Sequence, residues 1–174
     1  MKYTDVQVGF REIPDRISLL INISGCKCHC PGCHSPHLWE DVGNELTIKA
    51  LFDLIEKNNG VNTVCFMGGF EFETLNRMAF AIYLKWHHTL NIAWYTGLNE
   101  IPDNIDLSLF DYVKVGPYIE EFGPLDKKTT NQRLYKVLHE DPEGKKYDRP
   151  YEYYKLEDIT YKFWDKEELK NPIQ

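Results

Sequence analysis

Four of the chain's five cysteines and two of its six histidines lie within ten residues, Gly25–Cys26–Lys27–Cys28–His29–Cys30–Pro31–Gly32–Cys33–His34. Soft thiolates at this density select zinc, copper(I) or an iron–sulfur cluster over hard, oxygen-seeking cations. The spacing Cys26-x3-Cys30-x2-Cys33 offers three thiolates, with Cys28, His29 and His34 as alternative ligands. Structural zinc needs four ligands closed around the ion, commonly from two separated pairs. No second Cys/His pair follows at such a distance; His87–His88 is the only later cluster, in a helical pattern without a cysteine. Three clustered thiolates suit a 4Fe-4S cubane whose last iron stays open to another ligand, and the spacing favours iron–sulfur over zinc. The fifth cysteine, Cys65, sits in an apolar run and reads as a small buried hydrophobe.

The elements that must position this loop follow from local patterning. Ile17–Ser24 is short and apolar, a buried strand whose end releases the cysteines. In α/β folds that is where ligands bind. Thr47 is placed to cap a helix carrying Leu51, Leu54 and Ile55, stopped by Asn58–Asn59–Gly60. Val61–Met67 is a strand running into Gly68–Gly69, and residues 73–88 form an amphipathic helix. Asn91–Thr96 is a strand closed by Gly97; Leu107–Phe110 is a helical turn; Tyr112–Val115 is a strand ending at Gly116–Pro117. This alternation predicts α/β architecture with right-handed parallel βαβ units. With too few strands for a closed eight-fold barrel, it predicts a truncated, open (βα) partial barrel with a mostly parallel sheet. Residues 1–16 read as an edge strand or a wrap across the core, and 117–146 as turn-rich, with Gly123–Pro124, Pro142 and Gly144. The tyrosine-rich stretch Tyr147–Trp164 suggests one or two late strands, and Asp165–Leu169 a solvated terminal turn.

The 174 residues fit a single domain with a proper core, and 43% hydrophobic content with 14% aromatic marks an ordered chain. A formal net charge of −7 argues against a nucleic-acid groove, which needs a basic face to neutralise phosphates. No signal peptide and no membrane-length apolar run is visible. Cysteines concentrated in one loop make a metal site in a reducing compartment, so a cytoplasmic protein is expected.

Cys26-x3-Cys30-x2-Cys33 after a first strand resembles the signature of the radical S-adenosylmethionine (SAM) enzymes. The fuller string Gly-Cys-x-x-x-Cys-Pro-Gly-Cys-His, followed by Trp39, resembles one branch of them, the glycyl-radical activases of the anaerobic ribonucleoside-triphosphate reductase. Gly116–Pro117–Tyr118–Ile119–Glu120–Glu121 and Thr129–Thr130–Asn131–Gln132–Arg133 resemble the same branch. The likeness covers about residues 8–138, leaving 139–174 as a tail of unassigned role. It implies the truncated radical SAM barrel, with a 4Fe-4S cluster on Cys26, Cys30 and Cys33 and Cys28 outside the ligand set. SAM would chelate the open iron through its amino and carboxylate groups, near Gly32, Cys33 and His34. Gly68 and Gly69 would let backbone approach the SAM amino group. The family's acidic residue after that pair is displaced here to Glu71 by Phe70. Tyr95 and Thr96 would lie near the adenosyl group. Where the family often has an acid before the next strand-end glycine, this chain has Val115 preceded by Lys114, which reads either as a solvated strand lysine or as a partner of the SAM carboxylate. The implied activity is reductive SAM cleavage to form a glycyl radical on the reductase's glycyl radical subunit, with an electron donor such as flavodoxin. The competing readings are a small-molecule radical SAM synthase of the deazapurine type and a non-catalytic zinc-binding module.

Overall fold

The structure is a computed structural model describing residues 1–139 and 154–164. In chain order the regular elements are β1 (Lys2–Gly9), β2 (Ser18–Ile23), β3 (Asn44–Glu45), α1 (Ile48–Lys57), β4 (Thr63–Met67), α2 (Phe72–Trp86), β5 (Asn91–Tyr95), β6 (Tyr112–Val115), β7 (Arg133–His139) and β8 (Tyr154–Asp158). Three short 3-10 turns, Pro36–Leu38, Leu107–Leu109 and Thr160–Phe163, complete the set. The terminal turn expected over 165–169 and the turns expected at Pro142 and Gly144 lie outside the described residues.

All eight strands form one sheet, in the order β3-β1-β2-β4-β5-β6-β7-β8. Its centre is parallel: β2 pairs with β4, β4 with β5 and β5 with β6. Both flanks are antiparallel, β1 and β3 on one side and β7 and β8 on the other. The expected helix-flanked (βα) partial barrel with a mostly parallel sheet is therefore not what forms. The described residues make a strand-rich mixed sheet with two α-helices, and four of its seven pairings are antiparallel. The physical reason lies in the connections. A parallel return needs a long crossover, and only α1 and α2 supply helical ones; β5 reaches β6 through a 3-10 turn. The chain after β6 turns back on itself and adds β7 antiparallel to it. Residues 1–16 supply β1, which is covered by β3 rather than left as the edge.

Side-chain alternation along the central strands divides the interior in two. Leu19, Ile21, Ile23, Val64, Phe66, Ile92, Trp94, Val113 and Val115 face the larger core beneath α1 and α2. Leu20, Cys65, Ala93 and Tyr112 face the smaller one, closed by Ile13, Leu134 and Ile159. Because both faces are covered, the central strands read as continuous apolar runs. Thr47 caps α1 as expected, its hydroxyl accepting from the Ala50 amide at 3.1 Å. No helix among the described residues is long and apolar enough to cross a membrane.

Candidate metal centre

The cysteine loop leaves the C-terminal end of β2 and is tied back to the residues after it. The Gly25 amide donates to the Glu40 carbonyl at 3.1 Å and the Cys26 amide to the Leu38 carbonyl at 2.8 Å. The Cys33 amide closes a turn onto the Cys30 carbonyl at 3.0 Å, and the Ser35 amide points at the Cys33 sulfur at 3.3 Å. His29, at φ 45°, stacks on Trp39 with ring centres 4.8 Å apart. That pairing gives both residues a packing role. His34 instead meets Tyr118 at 4.7 Å. Gly32, at φ 72°, lies against the same segment: a β-carbon there would stand 3.4 Å from the Tyr118 ring and 3.6 Å from the Glu120 carboxylate.

That segment is braced in turn by the string Thr129–Arg133. Thr129 donates to the Phe122 carbonyl at 2.7 Å, Thr130 to the Gly123 carbonyl at 3.2 Å, and the Asn131 side-chain amide to the Pro117 carbonyl at 2.9 Å. Residues 116–123 and 129–133 are thus one structural unit, a buttress under Gly32 and His34.

The four loop thiols differ in exposure: Cys30 is buried, while Cys26, Cys28 and Cys33 are half-buried. The Cys28 and Cys30 sulfurs press on Gly97, at the end of β5. They lie 2.8 and 3.6 Å from the point where a Gly97 β-carbon would stand. Burial, followed by the neighbouring Cys26 and Cys30 charges and a hydrogen bond with Cys26, pushes the Cys28 thiol up to about 12, against a smaller opposing pull from the Gly97 amide. Among the described residues no three Cys, His, Asp or Glu side chains stand together in a ready-made ligating arrangement. The loop gathers four thiols with two histidines and no carboxylate between them, a soft donor set that suits iron–sulfur chemistry and not a hard cation.

The strand ends form the floor. Asn22, Met67, Tyr95 and Lys114 stand in register across β2, β4, β5 and β6, a single row on the face of the smaller core. Beyond that row the Gly68 amide donates to the Tyr95 carbonyl, and the Gly68 carbonyl accepts from the Trp94 indole, each at 2.8 Å. Both Gly68 and Gly69 hold positive φ, 94° and 95°, which a side chain would strain. A β-carbon on Gly68 would also stand 3.1 Å from the Ile23 carbonyl, so the pair packs against the end of β2. Thr96 is buried, its hydroxyl accepting from the Leu98 amide.

Two expected site residues are engaged elsewhere. The Tyr95 hydroxyl donates to the Glu12 carbonyl, and burial raises its pKa well above the usual phenol value. Glu71 holds the Met1 amino group at 3.1 Å and accepts from the Thr74 hydroxyl at 3.3 Å. Sequence reasoning missed Gly97 as a contact of the thiols, because a glycine after a strand signals only a stop. It also left Lys114 between two roles, and the structure decides against a solvated one: only 7% of the residue is exposed.

A family described as the 4Fe-4S single cluster domain matches residues 15–134, more than half of the chain, from just before β2 to the start of β7. No curated protein matches the chain, and neither does any solved structure.

Proposed function

The chain belongs to the 4Fe-4S single cluster domain family, and on that premise we propose that it is a SAM-dependent activase that forms a glycyl radical on the anaerobic ribonucleoside-triphosphate reductase. The observation that carries the reading is the shared edge. The thiol loop leaves β2 at the same end of the parallel strands as Gly68–Gly69, Gly97 and Gly116, with Cys28 and Cys30 lying directly on Gly97. Open sheets bind ligands at that edge, where strand-end backbone is free to meet them. The string likeness of Gly25–His34, Gly116–Glu121 and Thr129–Arg133 supplies the specific branch.

In this reading Cys26, Cys30 and Cys33 hold the cluster. Cys28 lies outside the ligand set, its sulfur against Gly97. The cluster, when bound, supplies the single electron that reductive cleavage of SAM requires. Gly32 and His34, held by Tyr118, keep the third cysteine's turn in place. Gly68 and Gly69 present backbone without β-carbons beside the end of β2, where the SAM amino group would be met. Lys114 and Thr96 close the floor and exclude water from it. The reaction takes SAM and one electron from a donor such as flavodoxin. It yields methionine, 5′-deoxyadenosine and the partner's glycyl radical, with the hydrogen passing from the glycine α-carbon to the 5′ carbon. A radical that reactive is directed by placement, not by bond strength, so the partner's glycine loop must close the site.

The test is deuterium at the reductase glycine α-carbon, followed by mass spectrometry of the 5′-deoxyadenosine and electron paramagnetic resonance of the partner. One deuterium per 5′-deoxyadenosine and a glycyl radical signal are expected. Unlabelled 5′-deoxyadenosine with no glycyl radical signal, and label arriving only when a small metabolite is deuterated in place of the glycine, would make the chain a small-molecule synthase.

A further inference from the structure

Lys114 is an unusual residue for the middle of a sheet. It stands on β6 opposite Tyr95 on one side and Leu134 on the other, almost fully buried. Its ammonium donates to the Gly116 carbonyl at 2.7 Å and to the Thr96 carbonyl at 3.4 Å. Among the described residues no carboxylate pairs with it. A buried cation held only by neutral carbonyls is costly unless something anionic is nearby. The Thr96 carbonyl belongs to the peptide that leads into Gly97, the residue on which the Cys28 and Cys30 sulfurs lie. One peptide unit therefore separates the ammonium's anchor from the thiol loop. Burial pushes the Lys114 pKa down to about 8, against an opposing pull from the cysteine cluster at Cys30, Cys28 and Cys33.

We propose that Lys114 is the built-in counter-charge of the iron–sulfur site, a positioning residue that raises the cluster's reduction potential by stabilising its more negative, reduced state. One-electron reduction adds negative charge to a core that its thiolates already make anionic. A fixed cation in a dry, low-dielectric floor favours that state more than an exposed one does. The ammonium needs no partner of its own because the loaded cluster is its partner. This explains a lysine with two carbonyls and no acid. The inference rests on the cluster reading alone and not on SAM or the reductase.

The experiment compares wild type, Lys114→Met and Lys114→Arg, each reconstituted anaerobically with iron and sulfide. Iron content, far-UV circular dichroism and the midpoint potential (redox titration followed by electron paramagnetic resonance) are measured. Lys114→Met, close in shape but neutral, is expected to keep its iron and to titrate at a more negative potential. Poised at the wild-type midpoint, its reduced-to-oxidised ratio falls about tenfold, a shift of 59 mV for a one-electron couple. Lys114→Arg keeps the charge and stays within about threefold of wild type. A fully loaded Lys114→Met with an unmoved ratio overturns the proposal, as does an equal shift in both variants, which would trace to packing. Should Lys114→Met fold but load no iron, loading of Lys114→Arg supports the counter-charge, and failure of both refutes it. A wild-type chain that takes up no iron would instead sink the cluster reading itself.

Discussion

Replacing Gly97 by alanine tests whether the end of β5 carries the thiol loop. The added β-carbon would stand 2.8 Å from the Cys28 sulfur, 3.1 Å from the Cys28 β-carbon and 3.6 Å from the Cys30 sulfur. Comfortable contact between carbon atoms begins at about 3.5 Å, and sulfur is larger, so the loop must retreat by roughly 1 Å. Overpacking of this kind costs about 1–3 kcal/mol. At some 2–4 °C per kcal/mol for a chain of this size, the melting temperature should fall by roughly 2–12 °C. The larger effect is on metal binding, because ligand distances tolerate only about 0.2 Å. The substitution should therefore cut reconstituted iron, read with the broad visible absorption of the cluster, to below about half of wild type. Cys28→Ala in the same chain removes the sulfur at 2.8 Å and should restore most of that iron. Full loading of Gly97→Ala with an unchanged spectrum would refute the contact. So would a double variant that stays empty while Cys28→Ala alone loads.

The ligand set is tested by single alanine substitutions: Cys26→Ala, Cys30→Ala and Cys33→Ala should each abolish the cluster, whereas Cys28→Ala and Cys65→Ala should retain most of their iron. Near-normal iron in Cys30→Ala, or its loss in Cys28→Ala, means that the triad is wrongly chosen. Glu71→Gln removes the carboxylate from the Met1 amino group. With that side chain 58% exposed, the cost should be no more than about 1 kcal/mol, seen as a small drop in melting temperature. Affinity for SAM, measured by calorimetry, should stay within about twofold, whereas a tenfold loss, about 1.4 kcal/mol, would return the acid to the binding site.

Features that depend on neighbouring residues were legible before any fold was known. Four cysteines in one loop announce a sulfur-ligated metal by their types and spacing alone. The apolar runs of β2, β4 and β5 and the 3.6-residue pattern of α2 are likewise properties of adjacent positions. So is the Thr47 cap, a side chain reaching an amide three residues on. Features that depend on distant partners emerge only in the folded chain. Whether a flanking strand runs parallel or antiparallel is set by the path its connection takes over the sheet and by which edge is still unpaired. No local pattern around β7 encodes that: Arg133–His139 lies inside a stretch that reads as turns, and its pairing with β6 turns the expected barrel into a mixed sheet. The same holds inside the site. Gly97 is far from Cys28 in sequence, and only the parallel pairing of β2, β4 and β5 brings the two into contact. Lys114 reads either as a solvated strand lysine or as a partner of the SAM carboxylate until β5 and β7 flank it. Its burial, and the charge it carries into the floor, are consequences of packing between segments far apart in the chain.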